Sequence, residues 1–274
     1  MPHAHHLQID DSHLAGNAGI GRYILLPGSV GRAERLAERL SGATRHTNRR
    51  RLDVFLGRLG EVDVAVIPTG MGCPSVDIVV GELLTLGARR LLRVGTSGSL
   101  QPQVRIGDLV IASAAVRDEA ASDAYTDREY PAVGCPVFVG ALADAALAAG
   151  LGSRVHVGIV HSKDSFFGRE FGHGPDGERN RAYMERLHRA GVLASEMEAA
   201  HLFVLGSVAR AGHTDVIAWR GAAAPVRCAA LLAVIGTVEA GIASLAEEEA
   251  AEERLMAVGL GGIAALAARE APPA

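Results

Sequence analysis

The sequence predicts an α/β fold. Strand-like apolar runs alternate with helix-like ones along 274 residues. Several of those runs end in glycine-rich turns that lead straight into the next segment. No internal repeat and no Pro/Ser-rich linker divides the chain, so one domain over 1–274 is expected, with residues 265–274 as a disordered tail.

The elements follow in order. RYILLPG (22–28) is a short apolar strand ended by Pro-Gly, and VGRAERLAERLSG after it fits a helix stopped by glycine. VFLGRLG and VDVAVIPTG, separated by Glu61, read as a hairpin. PSVDIVVGELLTLGA (74–88) has proline in the first turn and glycine at its end, the punctuation of a helix. It feeds the strand RRLLRVGTSG. DLVIASAAVRDE and VHVGIVHSKDSFF read as further strands, with the alanine-rich helix ALADAALAAGLG between them. FGREFGHGPDGERN (167–180) is polar and glycine-rich, the composition of a loop or lid. GVLASEMEAAHLFVLGSVARAG holds a short strand and then a helix starting near Ser195, and VIAWRG is the last good strand. From Cys228 onward the alanine content predicts helix, with an acidic run at 247–253.

Composition removes several function classes. The hydrophobic fraction of 49% is ample for a core, and the formal net charge of −4, with no long Lys/Arg run, gives no footprint for nucleic acid. Lys163 is the only lysine among 27 basic residues, so a P-loop and most lysine chemistry are excluded. Cys73, Cys135 and Cys228 lie far apart, against a zinc site or a disulfide framework and in keeping with a reducing cytoplasm. The N-terminus lacks the apolar core of a signal peptide, and no uncharged apolar stretch is long enough to span a membrane.

Four strand ends carry chemistry. LLPGSVGR supplies Gly28 and Arg32, IPTGMGCPS is glycine-rich before a helix, LLRVGTSG supplies Arg93, Thr96 and Gly98, and GVLASEMEAA supplies Glu196, Met197 and Glu198. Each has a plain structural alternative. Pro-Gly is a common turn, Arg93 could pair with Asp108 or Glu119, and Ser195-x-x-Glu198 matches a helix capping box. Their convergence at one sheet edge points further. Arginines bind oxyanions bidentately and carboxylates accept from sugar hydroxyls, so the set suits a phosphate beside a polyol.

PGSVGR, TGMGCPS, LLRVGTSGSLQPQVRIGDLVIASAAVRDE and ASEMEAA together resemble the motifs of family I nucleoside phosphorylases, the uridine and hexameric purine nucleoside phosphorylase group. The similarity runs from about His6 to about Arg220. It implies a central mixed, twisted β-sheet flanked by helices, and phosphorolysis of a nucleoside to ribose 1-phosphate and free base. Inorganic phosphate would be co-substrate, with no metal and no organic cofactor. Gly28, Arg32, Arg93 and Thr96 would hold phosphate, helped by Arg50 from a neighbouring subunit, with Arg49 and Arg51 as close rivals. Met197 and Glu198, with Thr96, would hold the ribose, and His6 of a neighbouring subunit (or His5 beside it) would cap its 5′ end. A dimer-built hexamer with shared sites is implied.

For the base, the resemblance implies Gly98, Glu196, the stacking ring of Phe166, and Arg220, whose position matches the pyrimidine branch. Arg93, Glu198 and Arg220 are the implied catalytic set. One loop departs from the pattern: SFFGREF puts Arg169 where a glutamine is expected and Phe171 where an arginine is expected. An amide donates and accepts at once, whereas arginine only donates, so Arg169, like Arg220, is expected to bind the base by meeting a carbonyl and its developing negative charge. A uridine-type substrate leads. A purine or unusual nucleoside, a hydrolase of the same fold, and a non-catalytic nucleoside binder are the alternatives. A dinucleotide-dependent oxidoreductase is disfavoured because no G-x-G-x-x-G follows an early strand.

Overall fold

The computed structural model describes residues 3–209, 225–237 and 241–271, and among these the strands join into one eleven-stranded mixed sheet. A short helix α1 (Asp11–Leu14) precedes β1 (Tyr23–Pro27) and α2 (Val30–Ala37), the latter capped by the Ser29 side chain. β2 (Ser41–His46), β3 (Val54–Leu59) and β4 (Val62–Val66) form an antiparallel meander. Then come α3 (Cys73–Thr85), β5 (Arg90–Ser99), β6 (Leu109–Asp118), β7 (Ala132–Val133), α4 (Pro136–Ala148) and β8 (Val155–Lys163). α5 (Phe166–Phe171) and α6 (Gly177–Arg189) lead to β9 (Ala194–Glu196) and α7 (Ala199–Ala209). β10 (Arg227–Thr237), β11 (Gly241–Ile242) and α8 (Leu245–Glu270) complete the described chain.

Five strands close on themselves. β5 pairs with β10, β10 with β6, β6 with β8, β8 with β9, and β9 returns to β5. The register aligns Gly98 with Ser195 and Ser195 with His161, so three chemistry-bearing segments meet in one row.

Period-2 alternation sorts the strands between two cores. Leu91 of β5 and Ala230, Leu232 and Val234 of β10 face α3 and α7. Leu92 and Val94 of β5 and Ala229, Leu231 and Ala233 of β10 face α2, α4 and α8. Arg93 lies between Leu92 and Val94, so the alternation turns it to the α3/α7 side, where the N-terminus of α7 meets it.

The structure corrects the sequence reading in four places. Residues 227–237, expected to be helical, form β10, a parallel partner of β5. Its alanines are helix formers, but on a strand paired with β5 on one side and β6 on the other, small side chains pack best against the covering helices. Residues 167–180, expected to be a loop, carry most of α5 and the start of α6. β2 was not expected at all: its exposed SGATRH has no apolar alternation, and pairing with β3 alone makes it a strand. Finally, the expected tail from 265 is helical to Glu270, whose buried carboxylate accepts from Arg90, Arg227 and Tyr23. The strand expected at VIAWRG, and Arg220 within it, lie outside the described residues.

Candidate active site

Arg93 is the centre of the site. It sits on β5 at 5% exposure, with its side chain folded over Gly95, where a Cβ would stand 3.0 Å from Nη2. Its Nη2 donates to Glu198 Oε2 at 2.5 Å and its Nη1 to Thr69 Oγ1 at 3.5 Å. Its Nε lies 3.5 Å from Glu196 Oε2 but makes no hydrogen bond among the described residues. Neither sequence-level partner is used: Asp108 is engaged by His156 and Glu119 by Ser122. Gly28, at the end of β1, lies against the same guanidinium, its Cβ position 3.7 Å from Arg93 Nη2.

The E-M-E segment turns from β9 into α7, and each carboxylate has its own task. Glu198 bridges Arg93 and the N–H of Gly72, which donates to Oε1 at 2.7 Å. Glu196 is fully buried and accepts from the N–H groups of Glu198 and Ala199, so it caps α7. Burial first, and the neighbouring Glu198 charge second, push the Glu196 carboxyl above the usual carboxylate range. The Ser195–Glu198 capping box does not form; Glu196 serves that purpose and frees both residues. Glu196, expected against the base, is instead turned onto the helix end. Met197 stands between the glutamates, its carbonyl accepting from Cys73 Sγ.

Thr96 and Gly98 are the half-exposed positions at the open end of β5. Arg32, on the first turn of α2, donates Nε to Glu252 Oε1 at 3.0 Å and Nη1 to the Val94 carbonyl at 3.3 Å. The acidic run on α8 thus reaches the site's edge. Arg49, Arg50 and Arg51 are exposed on the loop before β3. The His6 ring meets Glu82 of α3 at 2.7 Å, and the backbone N–H groups of His6 and Leu7 donate to the same carboxylate. This anchors the N-terminal segment.

The base side holds the largest departure from expectation. Phe166 opens α5 and is 42% exposed. Arg169 does not point to Gly98. It binds both oxygens of Asp118 at 2.6 and 2.8 Å, reaches Asn180, and stacks on Tyr183 at 4.4 Å. Burial works against ionisation of Asp118, yet the hydrogen bonds from His161 and Arg169 hold its carboxyl below the usual range. Glu170 takes the inward place, with Oε1 3.0 Å from where a Cβ on Gly98 would stand. Lys163 and Ser195 meet its other oxygen at 2.9 and 3.1 Å.

Sequence reasoning missed Thr69, Lys163, Glu170, Ser195 and Glu252. The one available signal was the solitary lysine at a strand end. Among the described residues, no group of three or more His, Cys, Asp or Glu could hold a metal ion, and no helix is long and apolar enough to cross a membrane.

The chain is similar to known proteins over most of its length. A family model described as the phosphorylase superfamily matches residues 22–253. A uridine phosphorylase of Treponema pallidum (strain Nichols) is 39% identical over 221 residues, covering 79% of this chain and 78% of its own. A uridine phosphorylase of Thermococcus kodakarensis is 39% identical over 202 residues, covering 72% of each. A guanosine phosphorylase of Halorubrum lacusprofundi is 32% identical over 185 residues, covering 66% of this chain and 72% of its own.

Proposed function

The chain belongs to the phosphorylase superfamily, and from that premise we propose that it is a pentosyltransferase cleaving uridine-type nucleosides with inorganic phosphate. The observation that carries the reading is Arg93: a buried cation at a strand end, bonded to the ribose-side carboxylate Glu198, with both of its Nη groups lying against Gly28. A guanidinium has five N–H donors in a planar fork, the geometry that fits a phosphate.

The chemistry follows from that placement. Hydrogen phosphate, held by Gly28, Arg93, Thr96 and Arg32, attacks C1′ of the nucleoside. The C1′–O bond forms as the C1′–N1 bond breaks, its electron pair leaves on the base, and the phosphate's proton ends on that base nitrogen. Ribose 1-phosphate and uracil are the products, and no cofactor enters the balance. Fixed donors around the dianion and the leaving base act without reorganising, which is where such sites gain most of their rate. Glu198 and Met197 hold the ribose; Glu198 also holds Arg93 in place.

We assign the partner subunit's Arg50 to the phosphate and the partner subunit's His6 to the ribose 5′ end, within a dimer-built hexamer. The exposed run at Arg49–Arg51, without an ion pair among the described residues, supports this, as does the anchoring of His6 on Glu82. We place the reaction in nucleoside salvage in a reducing cytoplasm, which suits three cysteines spaced far apart along the sequence.

The test is a nucleoside panel (uridine, deoxyuridine, cytidine, inosine, guanosine) with and without phosphate. Uracil and ribose 1-phosphate should form from uridine only when phosphate is present. Equal cleavage without phosphate would make the protein a hydrolase, and tight binding without turnover a nucleoside binder.

A further inference from the structure

We infer that Lys163 and Glu170 together read the base, as an acceptor–donor pair for an N–H/C=O lactam edge such as N3–H beside C4=O of uracil. The inference deepens the reading of the site as a uridine-type phosphorylase. It rests on five placements. Lys163, the only lysine of the chain, ends β8 at 2% exposure. Its Nζ donates to Ser195 Oγ at 2.7 Å, meets Glu170 Oε2 at 2.9 Å, and lies 5.7 Å from the Phe166 ring centroid. Glu170 follows Phe166 by four residues on α5, so carboxylate and ring share one helix face. Its second oxygen lies over Gly98 and has no hydrogen-bond partner among the described residues. Ser195, the register partner of Gly98, is held from behind by His161 Nδ1 at 3.0 Å, and His161 Nε2 meets Asp118 at 2.9 Å.

A buried ion pair is poor evidence for stability, because desolvation offsets most of the attraction, so this one calls for another explanation. Donor counting supplies it. An ammonium has three N–H bonds; one goes to Ser195 and Glu170 stands in ion-pair contact, which leaves N–H capacity for a ligand carbonyl. A carboxylate only accepts, and the free oxygen of Glu170 stands ready for a ligand N–H. An amide would offer the same two functions in one group; here two side chains divide them. Arg169 cannot fill the role, since it lacks an acceptor and is committed to Asp118. The charge on Lys163 has a second effect. As the glycosidic bond breaks, negative charge spreads onto the base carbonyls, and an ammonium in a sheltered site stabilises it more than it stabilises the neutral ground state.

The experiment uses the full chain with uridine, 3-methyluridine and cytidine, comparing wild type with Glu170→Ala, Glu170→Gln and Lys163→Met. Wild type should prefer uridine over 3-methyluridine by at least ~100-fold in kcat/KM, since a site built to pair an N–H leaves its acceptor unpaired with the methylated base. Glu170→Ala should collapse that ratio to a few-fold while the KM for phosphate holds. Glu170→Gln should keep most of it, because an amide still accepts. Lys163→Met should lower kcat on uridine at least ~10-fold. Wild type that cleaves uridine and 3-methyluridine equally overturns the inference, and that arm needs no variant to fold. So does an unchanged ratio in Glu170→Ala. Calorimetric binding of free uracil and 3-methyluracil separates the two layers. Uracil binding lost on 3-methylation or in Glu170→Ala supports the base-reading pair even if no phosphorolysis occurs. Phosphate-dependent turnover with indifference to methylation keeps the phosphorylase reading and removes the pair.

Discussion

The phosphate end and the base end of the site are built on opposite plans. At the phosphate end Arg93, Glu198 and Thr69 are 5%, 3% and 1% exposed, and the Arg93 and Glu198 charges are in contact. At the base end Phe166, Phe167 and Phe171 are 42%, 63% and 45% exposed, on a six-residue helix closed by left-handed Gly172. The first is a rigid cradle hung from strand ends; the second is a small aromatic flap. The difference teaches where each property resides. On the proposed assignment, reactivity toward phosphate rests on the buried ladder, whereas choice of base rests on buried Lys163 together with residues of the more exposed α5.

The largest test of that division is Arg93→Ala. Removal of the cation should lower kcat/KM with phosphate by at least ~10³-fold, the scale for losing a central electrostatic group. It also strands Glu196 and Glu198 without their cation, and breaking a buried pair from one side costs about 3–5 kcal/mol. Activity assays and thermal melts read the two effects separately. A soluble variant with near-normal phosphorolysis would break the comparison at its strong end. Glu198→Gln is the next step down. It keeps shape and the Gly72 contact but loses the charge facing Arg93, and should cost about 10²-fold in kcat/KM with a smaller drop in melting temperature.

How much of this was legible in the sequence follows the same division. Gly28, Arg93, Thr96 and Glu198 could be placed because strand ends are marked by apolar runs meeting glycine, and topology brings such ends together. What Arg93 pairs with was not legible: Asp108 and Glu119 are nearer in sequence, but alternation and the β9–α7 turn select Glu198. The base end resisted because GREF is short, polar and glycine-flanked, so it read as loop. Whether Arg169 or Glu170 points inward depends on a single helical turn and on Asp118, which lies on another strand. β10 was misread for a different reason. Its alanines carry a helical propensity that only pairing with β5 and β6 overrides.

Behind the base end runs the Asp118–His161–Ser195 chain, and it predicts a pH dependence of stability. Burial foremost, and the Lys163 charge to a lesser degree, push the His161 imidazole below its usual range, against the pull of Asp118. The folded protein therefore holds His161 neutral at pH values where the unfolded chain protonates it. Its contribution is fully present above about pH 6.5 and is lost as pH falls toward the lowered folded value, with a slope of at most ~1.4 kcal/mol per pH unit. His161→Gln should flatten this slope in urea titrations between pH 5 and 7. An unchanged slope would mean the imidazole is not the group that titrates.

The smallest effect is expected at the tip of the flap. Phe167 packs against Phe166, Phe171 and His173 with ring centroids 5.3, 6.1 and 5.6 Å away, yet stays largely in solvent. Phe167→Ala removes one member of an exposed aromatic cluster, and surface changes of this kind move stability by no more than ~0.5 kcal/mol. Its neighbour Phe166 is the proposed stacking ring, so the loss should appear as a two- to fivefold rise in nucleoside KM, roughly a kcal/mol or less, with the KM for phosphate unchanged. A rise in both constants would mean that the flap and the cradle move together. In that case the base end is part of the rigid site, and its exposure is a poor guide to its independence.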